Sequence, residues 1–244
     1  MKIATRITAE NQENSCHKLV DIHKPVIVYC HGNAEDIGSG QFGCQAFCTF
    51  IAKECNCVVV SFDYPGYGQS CDIKPNEKNI CEAIDVVLEY VEKVLLAQNV
   101  FLYGKSIGSV PALYAASKSE KKYKGLFLHS PLATAARVTF FRNVLPNFLL
   151  SNYCDHLYLD NLSRIKKVTC PTAIIHGKQD EIIDYHNSIE LWKACPHKFE
   201  NLVLVGTNSF KALHNNIEYE YSTNLLDLLQ HLLSQNSDVN KRDI

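Results

Sequence analysis

Val100-Phe101-Leu102-Tyr103-Gly104-Lys105-Ser106-Ile107-Gly108-Ser109-Val110-Pro111-Ala112-Leu113-Tyr114 is the stretch on which the fold turns. Its apolar run Val100–Tyr103 stops at a glycine, Ser106 stands in a G-x-S-x-G, and a helical pattern over Val110–Ser119 follows at once. Strand, tight turn and helix in that order put the serine on a strained apex, and Gly104 and Gly108 let the two backbones pass where a Cβ would collide. The five-residue pattern alone would arise by chance in up to roughly one chain in ten of this length, so its placement between a buried strand and a helix carries the weight. The bland alternative is a glycine-rich turn with a capping serine. Pro111 falls in the first turn of the helix, where the N–H it lacks has no intrahelical acceptor in any case.

Working outward from this turn, short β-branched and apolar runs recur at Val26–Cys30, Cys57–Phe62, Gly125–His129, Thr172–His176 and Leu202–Val205. Such runs predict strands buried on both faces. Between them lie helical patterns over Gln41–Glu54, Glu77–Gln98, Ile107–Ser119, His186–Ala194 and Ile217–Leu233. In the second, Ile80, Ala83, Ile84, Val87, Leu88 and Val91 share one face. The alternation predicts an α/β fold: a mostly parallel central sheet with helices on both faces. Residues 1–24 hold at most one weak strand, so the N-terminal strands are expected to be reduced or missing and that segment weakly structured. One domain is expected over 25–234, with 134–168 as a cap-like insertion and 235–244 as a flexible tail.

Composition narrows the class. The chain has 244 residues, 46% hydrophobic and 20% charged, as an ordinary globular protein does. Its 24 basic and 26 acidic residues leave a net charge of -2, with no basic field for nucleic acid. The 11 cysteines are scattered without a CxxC pair, which fits free thiols in a reducing cytosol better than disulfides or zinc. No stretch approaches the ~20 apolar residues of a spanning helix, and the first residues lack the apolar core of a secretory signal. The expected location is cytoplasmic, peripheral at membranes where the substrate is. No metal or organic cofactor is implied.

A serine hydroxyl needs a base, and the base needs an orienting carboxylate. Asp180 follows the strand Thr172–His176 soonest and is preferred over Glu181 and Asp184. Of 10 histidines, His214 alone lies after Asp180 and just past a late strand, whereas His186, His197 and His231 look like helix or loop positions. The expected catalytic set is Ser106, Asp180 and His214. Oxyanion donors are expected from the N–H of Ile107, at a helix start, and of Asn33, in the loop His31-Gly32-Asn33-Ala34 after the first buried strand. The turn-forming Asp63-Tyr64-Pro65-Gly66-Tyr67-Gly68-Gln69-Ser70 is read as structural, as is His31 in the simplest reading.

Five motifs in this order, His31-Gly32-Asn33-Ala34-Glu35-Asp36, Asp63 to Ser70, Tyr103 to Gly108, His129-Ser130-Pro131-Leu132 and Ile175 to Glu181, resemble the alpha/beta hydrolase domain-containing family, and within it the subgroup designated 17. The resemblance runs from about Val26 to Leu233. It implies the α/β-hydrolase fold, supports Ser106 and Asp180 in their roles, and implies removal of palmitate from cysteines of membrane-associated proteins, so S-acylated proteins are the expected partners. The chain departs from the family in three places. Leu213 stands where the family has Gly before the histidine, with a longer loop over Gly206–Leu213. The early strands and N-terminal cysteine cluster are missing, and the segment after Pro131 is longer. Val138–Leu150, rich in aromatics and leucines, is expected to form an apolar wall beside Ser106 that favours long acyl chains. A general carboxylesterase, lipase or peptidase with the same residues, and a disabled hydrolase-like binding protein, are the competing functional readings.

Overall fold

The computed structural model describes residues 3–9, 23–33, 35–39, 43–70, 72–118, 122–135 and 159–235. Six of its strands come from the apolar runs: β2 (Val26–Cys30), β3 (Val58–Phe62), β4 (Val100–Lys105), β5 (Gly125–His129), β6 (Thr172–Gly177) and β7 (Val203–Val205). A seventh, β1 (Thr5–Thr8), precedes them. The sheet order is β1-β3-β2-β4-β5-β6-β7, with β1 antiparallel to β3 and every other pairing parallel. Among the described residues the sheet's first strand is β1, and this weak N-terminal strand forms its antiparallel edge.

The helices are α1 (Cys44–Glu54), α2 (Glu77–Lys93), α3 (Ser109–Ala116), α4 (Asn161–Ile165), α5 (His186–Ala194), α6 (Ile217–Glu220) and α7 (Ser222–Ser234). Alternate strand residues feed two separate cores. Val28, Val60, Leu102, Leu128 and Ile174 pack with the apolar faces of α2 and α3. Ile27, Val59, Phe101, Phe127 and Ile175 pack with α1 and α7. Both faces of the sheet are thus covered, which is why its strands read as continuous apolar runs.

Several helix boundaries differ from the expected ones, three of them for a visible physical reason. α2 starts where Asn76 caps the N–H of Asn79 at 2.9 Å, but it ends at Lys93, before Gln98, because Leu96 takes a left-handed φ of 53°. The helix after Ser106 opens with a 3₁₀ turn, Ser106–Gly108, before α3. The pattern over Ile217–Leu233 breaks at Tyr221, whose φ of -123° and ψ of 27° are not helical and whose hydroxyl donates to the Phe210 carbonyl at 2.6 Å.

The expected insertion at 134–168 includes α4; its stretch 136–158, with the apolar wall Val138–Leu150, lies outside the described residues, as does most of the expected tail. The eight cysteines among the described residues are free thiols, seven of them buried. No helix among the described residues is long and apolar enough to cross a membrane.

Candidate active site

The chain order places β2 and β4 side by side while β3 lies beyond β2. The loops leaving their C-terminal ends diverge there, and in open α/β sheets such a switch point is where ligands bind. At the end of β4, Ser106 is held at φ 54°, the left-handed region, and its side chain is nearly buried. The flanking glycines explain how the turn fits. A Cβ on Gly104 would lie 2.7 Å from the Gly108 carbonyl oxygen, and one on Gly108 would lie 2.1 Å from the carbonyl oxygen of Cys30. Gly108→Ala should therefore force β2 and the turn apart and cost about 3 kcal/mol or more in urea unfolding; a loss below ~1 kcal/mol would show that the contact relaxes freely.

Ser109 Oγ donates to the Ser106 carbonyl at 2.7 Å, and Asn161 Nδ2 donates to Ser109 Oγ at 3.1 Å and to the Leu132 carbonyl at 2.9 Å. The strained residue is thus held from behind by a buried hydrogen-bond chain reaching α4.

The loops after β6 and β7 bring up the other partners. His214 Nε2 lies 2.9 Å from Ser106 Oγ, and its Nδ1 lies 2.7 Å from Asp180 Oδ2. An ionised carboxylate only accepts, so Nδ1 carries the proton and the bare Nε2 accepts from the serine hydroxyl. Asp180 is over-determined. Its Oδ1 accepts from the N–H groups of Ile182 and Ile183 at 2.9 and 2.7 Å, and its Oδ2 also faces His176 Nε2 at 3.1 Å. Burial works to raise its pKa, but hydrogen bonds from His176 and His214 outweigh it and hold the carboxyl well below the usual carboxylate range. His176 is itself fixed, with Nε2 2.8 Å from the Ile183 carbonyl and Nδ1 2.6 Å from Ser188 Oγ.

Of the two competing carboxylates, Glu181 accepts the backbone N–H of His214 at 3.1 Å, and Asp184 contacts the amide and ring of His186. Neither carboxylate is bonded to the His214 ring among the described residues.

Ile107 sits in the 3₁₀ turn beside Ser106, where its N–H has no intrahelical acceptor. Asn33 lies in the loop after β2 and is bound through its side chain, the Tyr67 hydroxyl donating to its Oδ1 at 2.6 Å. The turn-rich segment Asp63 to Ser70 is the scaffold of that loop. Tyr64 donates to the His31 carbonyl at 2.8 Å and Asp63 Oδ1 accepts from the Ile37 N–H at 2.9 Å. Gly68, at φ 47°, leaves room for the Asp63 carboxylate, which a Cβ there would meet at 2.1 Å. His31 is fully buried against the Tyr64 ring, with centroids 4.3 Å apart.

A family model described as serine aminopeptidase, S33 matches residues 21–161, more than half of the chain. The chain belongs to this hydrolase family. Its relatives include alpha/beta hydrolase domain-containing protein 17C of Mus musculus, 34% identical over 214 residues that make up 85% of this chain and 60% of the relative. Alpha/beta hydrolase domain-containing protein aho-3 of Caenorhabditis elegans is 34% identical over 79% of this chain and 53% of its own length. The chain thus spans little more than half the length of these curated relatives. Among solved structures, Est1E from Butyrivibrio proteoclasticus aligns with a TM-score of 0.67 at 18% identity, over 96% of this chain and 94% of that one. A Pyrococcus furiosus esterase, Pf2001, aligns at 0.68 and 17%, over 88% and 84%. These likenesses show the α/β-hydrolase fold.

Several groups buried near the site were not singled out from the sequence. Lys105, between Gly104 and Ser106, is almost fully buried and pairs with Glu35 and Glu218. His129, opposite Lys105 in the β4–β5 register, bonds the Tyr103 hydroxyl through Nδ1 at 3.1 Å. Burial pushes the His129 pKa down to about 3, against the opposing pull of Glu218 and with the help of Lys105, His214 and His176. The unfolded chain takes up that proton below an ordinary histidine pKa of about 6.5, whereas the folded chain does not. Stability should therefore fall as pH drops from about 6.5 toward 3, by on the order of several kcal/mol. The depressed Asp180 acts only below its unfolded value of about 3.9, so it does not account for loss above that. Melting temperature against pH is the check, and a flat profile from pH 7 to 5 would contradict a neutral buried His129.

Proposed function

We propose that this hydrolase cleaves acyl esters and thioesters through a covalent acyl-enzyme on Ser106, and that long-chain S-acyl groups on protein cysteines are its substrates. The observation that carries the reading is the unbroken hydrogen-bond chain Ser106 Oγ, His214 Nε2, His214 Nδ1, Asp180 Oδ2. Ser106 Oγ attacks the acyl carbonyl carbon while His214 Nε2 takes its proton. The oxyanion is stabilised by the N–H groups of Ile107 and Asn33. The tetrahedral intermediate collapses, the carbon–sulfur bond breaks, and His214 returns the proton to the departing thiolate. Water then attacks the acyl-enzyme with His214 as base, freeing the fatty acid and Ser106. Asp180, ionised throughout, stabilises the imidazolium formed in each half.

The substrate class is supported by the resemblance to the subgroup designated 17 and by the 34% identity to its named members.

A fluorophosphonate probe tests the covalent part. A single adduct on Ser106, absent from Ser106→Ala, is expected; an unlabelled wild-type chain would make this a hydrolase-like binding protein. Steady-state kinetics on acyl thioesters test the substrate part, with kcat/KM rising from acetyl to palmitoyl. A flat or falling series would remove the long-chain preference while leaving the serine chemistry standing.

A further inference from the structure

The Lys105 ammonium is 2.8 Å from Glu35 Oε1 and also paired with Glu218 Oε1, and its side chain is only 8% exposed against 21% and 4% for the two carboxylates. Burial opposes both charges of the inner pair, yet the surrounding groups outweigh it: Glu218 and Glu35 hold Lys105 above the ordinary lysine range, and His129 and Lys105 hold Glu218 below the carboxylate range. Both stay ionised. A buried ion cluster is a poor device for stability, since well-packed apolar side chains in its place are often neutral or better. Its position suggests another use.

Each member belongs to a segment that ends in a site residue. Lys105 is the residue before Ser106, Glu35 lies two residues beyond Asn33, and Glu218 lies four beyond His214 on the short helix α6. The cluster therefore ties together the turn bearing the serine, the loop bearing Asn33 and the segment bearing the histidine. The Ser106–His214 hydrogen bond cannot fix this alignment by itself, because on the proposed reading it is broken and remade in every turnover. The Lys105 pairs are not touched by the chemistry.

We propose that Lys105 is a positioning residue: through Glu218 and Glu35 it holds His214 and Asn33 at working distance from Ser106. The inference rests on the covalent reading for its rate consequence, but the alignment itself is open to a measurement that needs no reaction.

Lys105→Met leaves two buried carboxylates unpaired and is expected to be unstable. Lys105→Met combined with Glu218→Leu removes the inner pair, and Glu218→Gln is a near-isosteric variant that keeps Lys105 on Glu35. Fluorophosphonate inactivation is resolved into probe affinity and maximal rate, alongside melting temperature. The double variant, which leaves only the more exposed Glu35 without its partner, should melt above Lys105→Met yet react about ten- to a hundredfold more slowly than the wild type at saturating probe, as expected for a misplacement on the scale of an ångström. Affinity for the probe should be unchanged, and Glu218→Gln should show a smaller loss of rate in the same sense. Lys118→Met, which removes a half-exposed pair with Asp85 away from the site, controls for ion-pair loss alone and should keep the wild-type rate. A double variant or a Glu218→Gln chain that reacts at the wild-type rate overturns the proposal.

The second readout is the low-field proton resonance of His214 Nδ1–H on Asp180. It should be sharp in the wild type and broadened by exchange in the double variant. Should the wild type fail to label, the covalent reading is lost and the tether is decided on this resonance alone: its persistence in the double variant overturns the proposal, and its loss there sustains it.

Discussion

His214→Ala is expected, on the proposed acyl-enzyme reading, to lower turnover by roughly four to six orders of magnitude while the chain still folds, because members of such a set act as a unit and their losses are not additive. The geometry says why no neighbour substitutes. Among the described residues His214 supplies the nitrogen 2.9 Å from Ser106 Oγ, while His176 is turned to Ile183 and Ser188 and His129 to Tyr103. Without the imidazole the hydroxyl must lose its proton to water, and the leaving thiolate has no donor. Circular dichroism and the melting curve check the fold, and single-turnover kinetics check the rate. A variant within about tenfold of the wild type would place the base on another residue.

Asp180→Asn should follow at about four orders of magnitude. The variant keeps an oxygen for the N–H groups of Ile182 and Ile183 but turns an NH₂ toward two imidazoles that now donate to Oδ2. His214 then favours the tautomer with its proton on Nε2, aimed at the serine, and so cannot accept one. Asp184→Asn provides the contrast. Asp184 receives the His186 N–H at 2.8 Å in an exposed turn, so its loss should cost about 1 kcal/mol of stability at most and little rate. Rates that fall in the opposite order would move the acid to Asp184.

Much of this was legible in the sequence because it is local or periodic. Strands buried on both faces have to be largely apolar, and Val26–Cys30 and the Ala173–Ile175 stretch of β6 are. The serine turn announces itself through Gly104 and Gly108, whose missing Cβ atoms the packing requires. Asp180 and His214 could be picked out because loops leaving the C-terminal ends of strands are where side chains of an open sheet converge.

What escaped has no local pattern. Lys105, Glu35 and Glu218 look like three ordinary charges in the sequence, and only the fold reveals them as one buried cluster. The break at Tyr221 is set by a hydroxyl that reaches back to Phe210, so the helical period runs through it unmarked. His176 did leave a trace: a polar ring closing an apolar strand must find buried partners, and one of them is the carboxylate that also serves His214.

The Ser106–His214 contact spans 108 residues of sequence and the Lys105–Glu35 pair spans 70. Loop-closure entropy makes such distant meetings late and slow events when a chain folds. Reactivity at Ser106 is therefore a timer: during refolding, helical content should recover first and covalent labelling last, so the label reports the completion of folding.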